Sequence, residues 1–190
     1  MTEKRLNIAI VVVLITLGAL LRVLPHPANF APVAAIAIFG GAMLPRRYGI
    51  LTPLAAMIVS DMMIGFHNLI PVTWGSYVLI ALVSGIWMRK RTLTKGITLT
   101  LSASIFFYVV TNFAVWVTSG MYAHTLSGLM SCYIMALPFF RNTLLSDMLF
   151  TASLFGLYWV ANQAGQRAMN SYSSSKNLSK IKLYETNRDI

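Results

Sequence analysis

The sequence predicts an all-α membrane protein: a bundle of about six transmembrane helices, with N-terminus and C-terminus cytoplasmic and an outer loop or re-entrant segment before the last helix. Three observations carry this. Of the 190 residues, 57% are apolar and 11% charged, with a mean hydropathy of +0.68, whereas soluble domains carry about 25% charged residues. Apolar runs recur along the chain and, at about 20 residues per crossing, leave room for about six spans and no separate soluble domain. The basic residues fall at Lys4-Arg5, at Arg46-Arg47, at Arg89-Lys90-Arg91 with Lys95, and in a tail with Arg167, Lys176, Lys180, Lys182 and Arg188. Each group follows an even number of spans, as expected when cytoplasmic loops keep Lys and Arg and translocated loops shed them.

The first span runs from Leu6 to Leu21 behind Lys4-Arg5. It imitates a signal peptide, yet it meets Arg22 and a Pro-rich segment without a small-x-small cleavage site, so a retained helix is expected. The second, Phe30 to Leu44, holds Ala31, Ala34, Ala35, Ala37, Gly40, Gly41 and Ala42, small residues that let backbones approach closely and place it centrally. Pro45 with Arg46-Arg47 ends it. Gly49 to Gly65 climbs back, with Pro53 tolerated if neighbours satisfy the carbonyl it frees, and Phe66-His67-Asn68 forms the next outer turn. Pro71 to Met88 and Ile97 to Thr118 make a hairpin, the latter carrying Tyr108, Asn112 and Trp116 along one helical face. Gly120 to Phe140, broken by Gly128 and Pro138, reads as the outer loop or re-entrant helix. The last span covers Asn142 to Ala161. Residues 1–165 then form one transmembrane domain, and 166–190 a polar, basic, flexible cytoplasmic tail.

The net charge of +10 does not indicate nucleic-acid binding, because no aromatic-interleaved basic face accompanies it. Cys132 is the sole cysteine, which excludes an internal disulfide and a zinc site of the cysteine type. His26, His67 and His124 stand in loops without metal-ligand spacing, so no metal or other cofactor is expected. The chain has no P-loop, HExxH or GxSxG. An intramembrane enzyme acting on lipid, with Asp61 or Asp147 as base beside Arg141, is therefore a minor alternative to a non-enzymatic role.

Two of the five acidic residues, Asp61 and Asp147, lie inside apolar spans, where a carboxylate at mid-helix costs about 2.5 to 3.5 kcal/mol. Both come out in the outer third. Asp61 follows Pro53 and Met57 at helical spacing, on a face expected to look into the bundle. The same depth collects Arg22, His26, Asn29, His67, Asn68, Trp74, Tyr77, Asn112, Trp116 and Arg141. The expectation is a pocket open to the outside, with Trp and Tyr for apolar contact and a few Asp, Asn and Arg groups for orientation. Its candidate substrate-binding residues are Asn29, Asp61, Trp74, Tyr77, Tyr108, Asn112, Trp116, Arg141, Asn142 and Asp147. The competing reading makes the aromatics interfacial belts, lets Arg141 snorkel to headgroups, and stabilises Asp147 by the helix dipole. Ser60-Asp61-Met62 recurs as Ser146-Asp147-Met148, but an inverted repeat would put the second aspartate at the inner face, so the echo is read as chance.

Pro25-His26-Pro27-Ala28-Asn29-Phe30-Ala31-Pro32-Val33-Ala34-Ala35, Phe39-Gly40-Gly41-Ala42, Ser60-Asp61, Thr111-Asn112-Phe113-Ala114-Val115-Trp116 and Leu137-Pro138-Phe139-Phe140-Arg141-Asn142-Thr143 resemble a family of small bacterial membrane proteins of unassigned function. More broadly, the plan is similar to the S component of energy-coupling factor (ECF) transporters: six helices, early spans rich in small residues, a basic connection and an acid ending the third span. That resemblance implies a bacterial plasma-membrane protein that captures a small polar or heteroaromatic micronutrient. It also implies a membrane coupling protein and ATPases as partners, besides the lipid bilayer and the solute. The chain departs from the S components in lacking an Ala-x-x-x-Ala in its first span, Ala31 and Ala35 in the second being nearest. A subunit that assembles membrane complexes through small-residue faces, without a ligand, is the other alternative.

Overall fold

The computed structural model describes residues 3–90 and 92–188, with side chains described as far as residue 170 and at Tyr172. Arg91 and the side chains of the tail lysines fall outside the described residues. The fold is all-helical: α1 (Glu3–Val23), α2 (Val33–Met43), α3 (Arg46–Ile64), α4 (Ile70–Trp87), α5 (Leu93–Thr118) and α6 (Leu126–Arg188). Five of these are long and apolar enough to cross a membrane, with Leu126–Asn170 as the apolar part of α6. Their large exposed side chains, such as Val12, Val13, Met62, Ile86, Ile105 and Leu149, suit a surrounding hydrocarbon that has no need of polar cover.

The second span is shorter than the sequence suggests. Helix α2 has 11 residues, about 16 Å at 1.5 Å per residue, well under a hydrocarbon core of about 30 Å. Proline is the cause: Pro25, Pro27 and Pro32 supply no backbone N–H, and Ala31, preceding Pro32, is pushed from helical geometry. The irregular segment 24–32 stands between α1 and α2. Such backbone is tolerated inside a membrane protein where protein groups satisfy it, and α6 does so here. Asn142 Nδ2 donates to the Ala28 carbonyl at 3.0 Å, and Ser146 Oγ to that of Ala31 at 3.3 Å.

Helix α2 is buried from Val33 through Gly40, packed among α3, α4 and α5. Absent side chains set how close its neighbours come. A Cβ on Gly41 would lie 2.1 Å from the Ala81 carbonyl oxygen, so α2 and α4 touch backbone to backbone. The Ser84 hydroxyl adds a buried cross-helix bond to the Ile38 carbonyl at 2.6 Å. Pro53 leaves the Gly49 carbonyl without its helical donor, and that oxygen lies against Gly40, 3.2 Å from where a Cβ would stand.

Helices α5 and α6 hold each other through tyrosines. Tyr108 Oη donates to the Tyr133 carbonyl at 2.6 Å, and Tyr133 Oη to the Val109 carbonyl at 2.8 Å. The expected outer loop or re-entrant piece over residues 120–140 is corrected by this arrangement. Only residues 119–125 are irregular, and from Leu126 the chain is helical without interruption. Thr125 starts it, its Oγ1 accepting the Gly128 N–H at 3.1 Å in the manner of an N-cap. Pro138 sits inside α6, a position spanning helices tolerate when neighbours serve the freed carbonyls.

The chain divides into two compact units, Met1–Leu154 and Phe155–Ile190. The first holds α1 to α5 and the first part of α6. In the second the backbone stays helical through Arg188, the stretch that composition marks as a polar tail included, and Leu157, Trp159 and Val160 near its start are exposed.

Candidate functional site

Inside the first unit is a cavity of about 600 Å³. Its wall comes from the irregular segments at one end of the bundle (His26, Asn29, His67, Tyr122) and from all six helices, α5 and α6 above all. Helix α5 presents Phe107, Tyr108, Thr111 and Asn112 to it, a three-and-four spacing that keeps side chains on one helical face. The aromatic walls are paired. Tyr77 stacks on Phe107 with ring centroids 4.9 Å apart, and Tyr108 meets Phe140 at 4.6 Å.

Asp61 lies beside this space, not on its wall. It is fully buried, because Pro53, Met57, Ser60 and Asp61 recur along the buried face of α3. Both carboxylate oxygens are served: Arg22 Nη1 donates to Oδ1 at 2.6 Å, and Trp74 Nε1 to Oδ2 at 2.8 Å. Arg22 Nη1 also donates to Ser60 Oγ at 2.5 Å. This one knot joins the ends of α1 and α3 to the start of α4, and it is the only ion pair among the described residues. Arg22 itself reaches the cavity wall.

Asp147 is 2% exposed and does line the cavity. Ser104 Oγ donates to its Oδ2 at 2.7 Å, and no other hydrogen bond reaches the carboxylate among the described residues. The two aspartates thus differ in kind, although the sequence placed them together.

The other expected site residues divide cleanly. Asn29, Tyr77, Tyr108 and Asn112 line the cavity with Asp147. Asn29 does so from a left-handed backbone, φ 61°, a conformation asparagine accepts more readily than most residues. Asn112 Nδ2 is spent on the Tyr108 carbonyl at 2.7 Å, which leaves its side-chain oxygen for the cavity. Trp74 serves Asp61. Asn142 braces the segment 24–32 through the Ala28 carbonyl. Trp116 donates to the Ala123 carbonyl at 2.9 Å and meets His124 edge-on, closing the α5–α6 connection. Arg141 is exposed and has no ion pair among the described residues.

Sequence reasoning left Arg22, Ser104, Phe107 and Phe140 out of the candidate site. A signal existed for Arg22: a basic residue closing an apolar span calls for an acid at the same depth, and Asp61 was the nearest. Ser104 gave none, since a serine inside a helix usually bonds its own backbone. Among the described residues no group of three or more His, Cys, Asp and Glu is placed to hold a metal ion. The chemistry on offer is recognition: flat aromatic walls, one unfilled carboxylate oxygen, an amide oxygen, and the guanidinium nitrogens that Asp61 leaves unused.

Residues 2–170 match a family of unknown function (DUF6580), and the chain belongs to that family. No curated protein matches it and no solved structure does.

Proposed function

We propose that this member of the family is a solute-binding and uptake protein of the bacterial plasma membrane, which captures a small polar or heteroaromatic micronutrient much as the S component of an ECF transporter does. One observation carries the reading: a cavity of about 600 Å³, within the range of small-molecule sites, lies among helices apolar enough to span a bilayer. A bundle of this size gains nothing in stability from such a space, since unfilled volume forfeits packing contacts. The Arg46-Arg47 and Arg89-Lys90 turns lie at the helix ends remote from the cavity's irregular segments. With basic turns cytoplasmic, the cavity faces outward. Having no P-loop, the chain takes its energy from a membrane coupling protein and ATPases.

A thermal-shift screen of the purified chain in mild detergent against vitamins, nucleobases and their precursors tests this. At least one compound should raise the melting midpoint in proportion to the logarithm of its concentration above Kd. The rise should shrink in Tyr77→Leu and Asn112→Ala. If every compound leaves the midpoint unmoved, or the shifts persist in both variants, the cavity is not a solute site.

A further inference from the structure

The cavity wall contains a carboxylate with no counter-ion among the described residues. Asp147 is almost wholly buried, and the one ion pair among the described residues commits Arg22 to Asp61. Its single hydrogen bond is itself contested, because Ser104 Oγ also lies 3.0 Å from the Thr100 carbonyl and one hydroxyl proton serves one acceptor at a time. Oδ1 has no hydrogen-bond partner among the described residues, and Asp147 lines the cavity. Oδ1 is not sealed in the protein but is open to the cavity, the fully buried unpartnered atom among the described residues being Thr151 Oγ1, and an N–H donor of positive charge is its strongest complement.

The walls favour the same chemistry. Tyr77, Phe107, Tyr108 and Phe140 line the space as two packed ring pairs, and aromatic rings attract cations and pack against flat rings. Spacing then narrows the ligand. Ser104, which marks the level of Asp147, stands three and four residues before Phe107 and Tyr108 on α5. That is one helical turn, about 5 Å, and it matches the distance from an ammonium to a ring across a two-carbon linker.

We propose that the solute is an aromatic amine cation, whose ammonium is held by Asp147 while its ring lies between the Tyr77–Phe107 and Tyr108–Phe140 pairs. This rests on the solute-capture reading above and names its substrate class. Arg22 on the same wall has its charge paired with Asp61, so at Asp147 an anionic group is disfavoured by the carboxylate and a neutral one forgoes its charge.

Isothermal titration of the full chain in mild detergent with tryptamine, tryptophol and indole-3-acetate tests it, since the three share a ring and differ at the end of a short arm. Tryptamine should bind about tenfold or more tighter than tryptophol, with indole-3-acetate weakest. In Asp147→Asn the amine's affinity should fall to that of the alcohol. The order among the three ligands on the unmutated chain stands whether or not the variant folds. An alcohol or acid that equals the amine overturns the cation assignment and leaves a solute site in place, as does an amine preference that survives Asp147→Asn. If none of the three binds, the assignment also falls, and the broader screen decides separately whether solute capture falls with it.

Discussion

Asp61 and Asp147 share a tripeptide, a residue type and almost complete burial, and the protein treats them oppositely. Asp61 ends its helix in a closed knot where a guanidinium and an indole N–H each take one oxygen. Asp147 has a single serine, on the wall of a cavity. Both bear the penalty of a charge away from water, so the difference lies in what repays it. Around Asp61 the repayment is internal and complete, and three helix ends are tied by it. Around Asp147 it is half made, the condition expected of a group whose partner arrives from outside. A buried acid inside a bundle is therefore not diagnostic of a binding site; its unfilled hydrogen-bonding capacity is.

The sharpest way to break this comparison is to take away the cation of the closed site. Arg22→Ala strands the Asp61 carboxylate with only Trp74, and removing one partner of a buried ion pair costs about 3 to 5 kcal/mol. The melting midpoint in mild detergent should fall steeply, further than in Trp74→Phe or Asp147→Asn. The paired change Arg22→Leu with Asp61→Leu should recover much of the loss, since apolar residues of similar volume often replace a buried pair without penalty. A double variant as unstable as Arg22→Ala would mean that the knot matters for something other than its charge. Next in size is Trp74→Phe, which keeps an aromatic side chain, smaller than the indole, and deletes one hydrogen bond to a charged acceptor, worth about 1.5 to 3 kcal/mol. An unchanged midpoint would show that the indole N–H contributes nothing to Asp61.

Much of this molecule is legible in its residues, and what is not has identifiable causes. Apolar runs and their punctuation place five long helices, since lipid demands continuous hydrophobic length. Helix α2 misled because a run of small apolar residues looks the same whether it spans or is merely enclosed, and only Pro32 revealed where the helix begins. Residues 120–140 misled because Gly128 and Pro138 read as breakers, while the Thr125 cap and the tyrosine exchange between α5 and α6 outweigh them. At the site, depth along the helices gathered Asn29, Tyr77, Tyr108, Asn112 and Asp147 around one space. It did not separate them from Trp74, Trp116, Arg141 and Asn142, because depth says how far along a helix a residue lies, and only rotation and neighbours say what it meets. The Arg22 partnership needed two helices packed side by side, a pairing that hydropathy alone does not specify.

The smallest expected effect sharpens the comparison most. Asp147→Asn keeps the volume of the side chain and one oxygen to accept from Ser104, and it turns an amide N–H₂ towards the cavity in place of an uncompensated charge. The Ser104 hydrogen bond passes from a charged to a neutral acceptor and weakens, and the lost burden is the desolvation of a carboxylate. The two nearly cancel, so the midpoint of the ligand-free chain should move by the equivalent of about 1 kcal/mol or less, in either direction. Asp61→Asn should be clearly more costly, because there the amide leaves Arg22 without its counter-charge. Measured side by side in the same detergent, similar losses in the two variants would show that Asp147 is held within the fold as firmly as Asp61. The asymmetry on which the ligand assignment depends would then be gone. A near-silent Asp147→Asn beside a damaging Asp61→Asn would mark one acid as part of the frame and the other as open to a visitor.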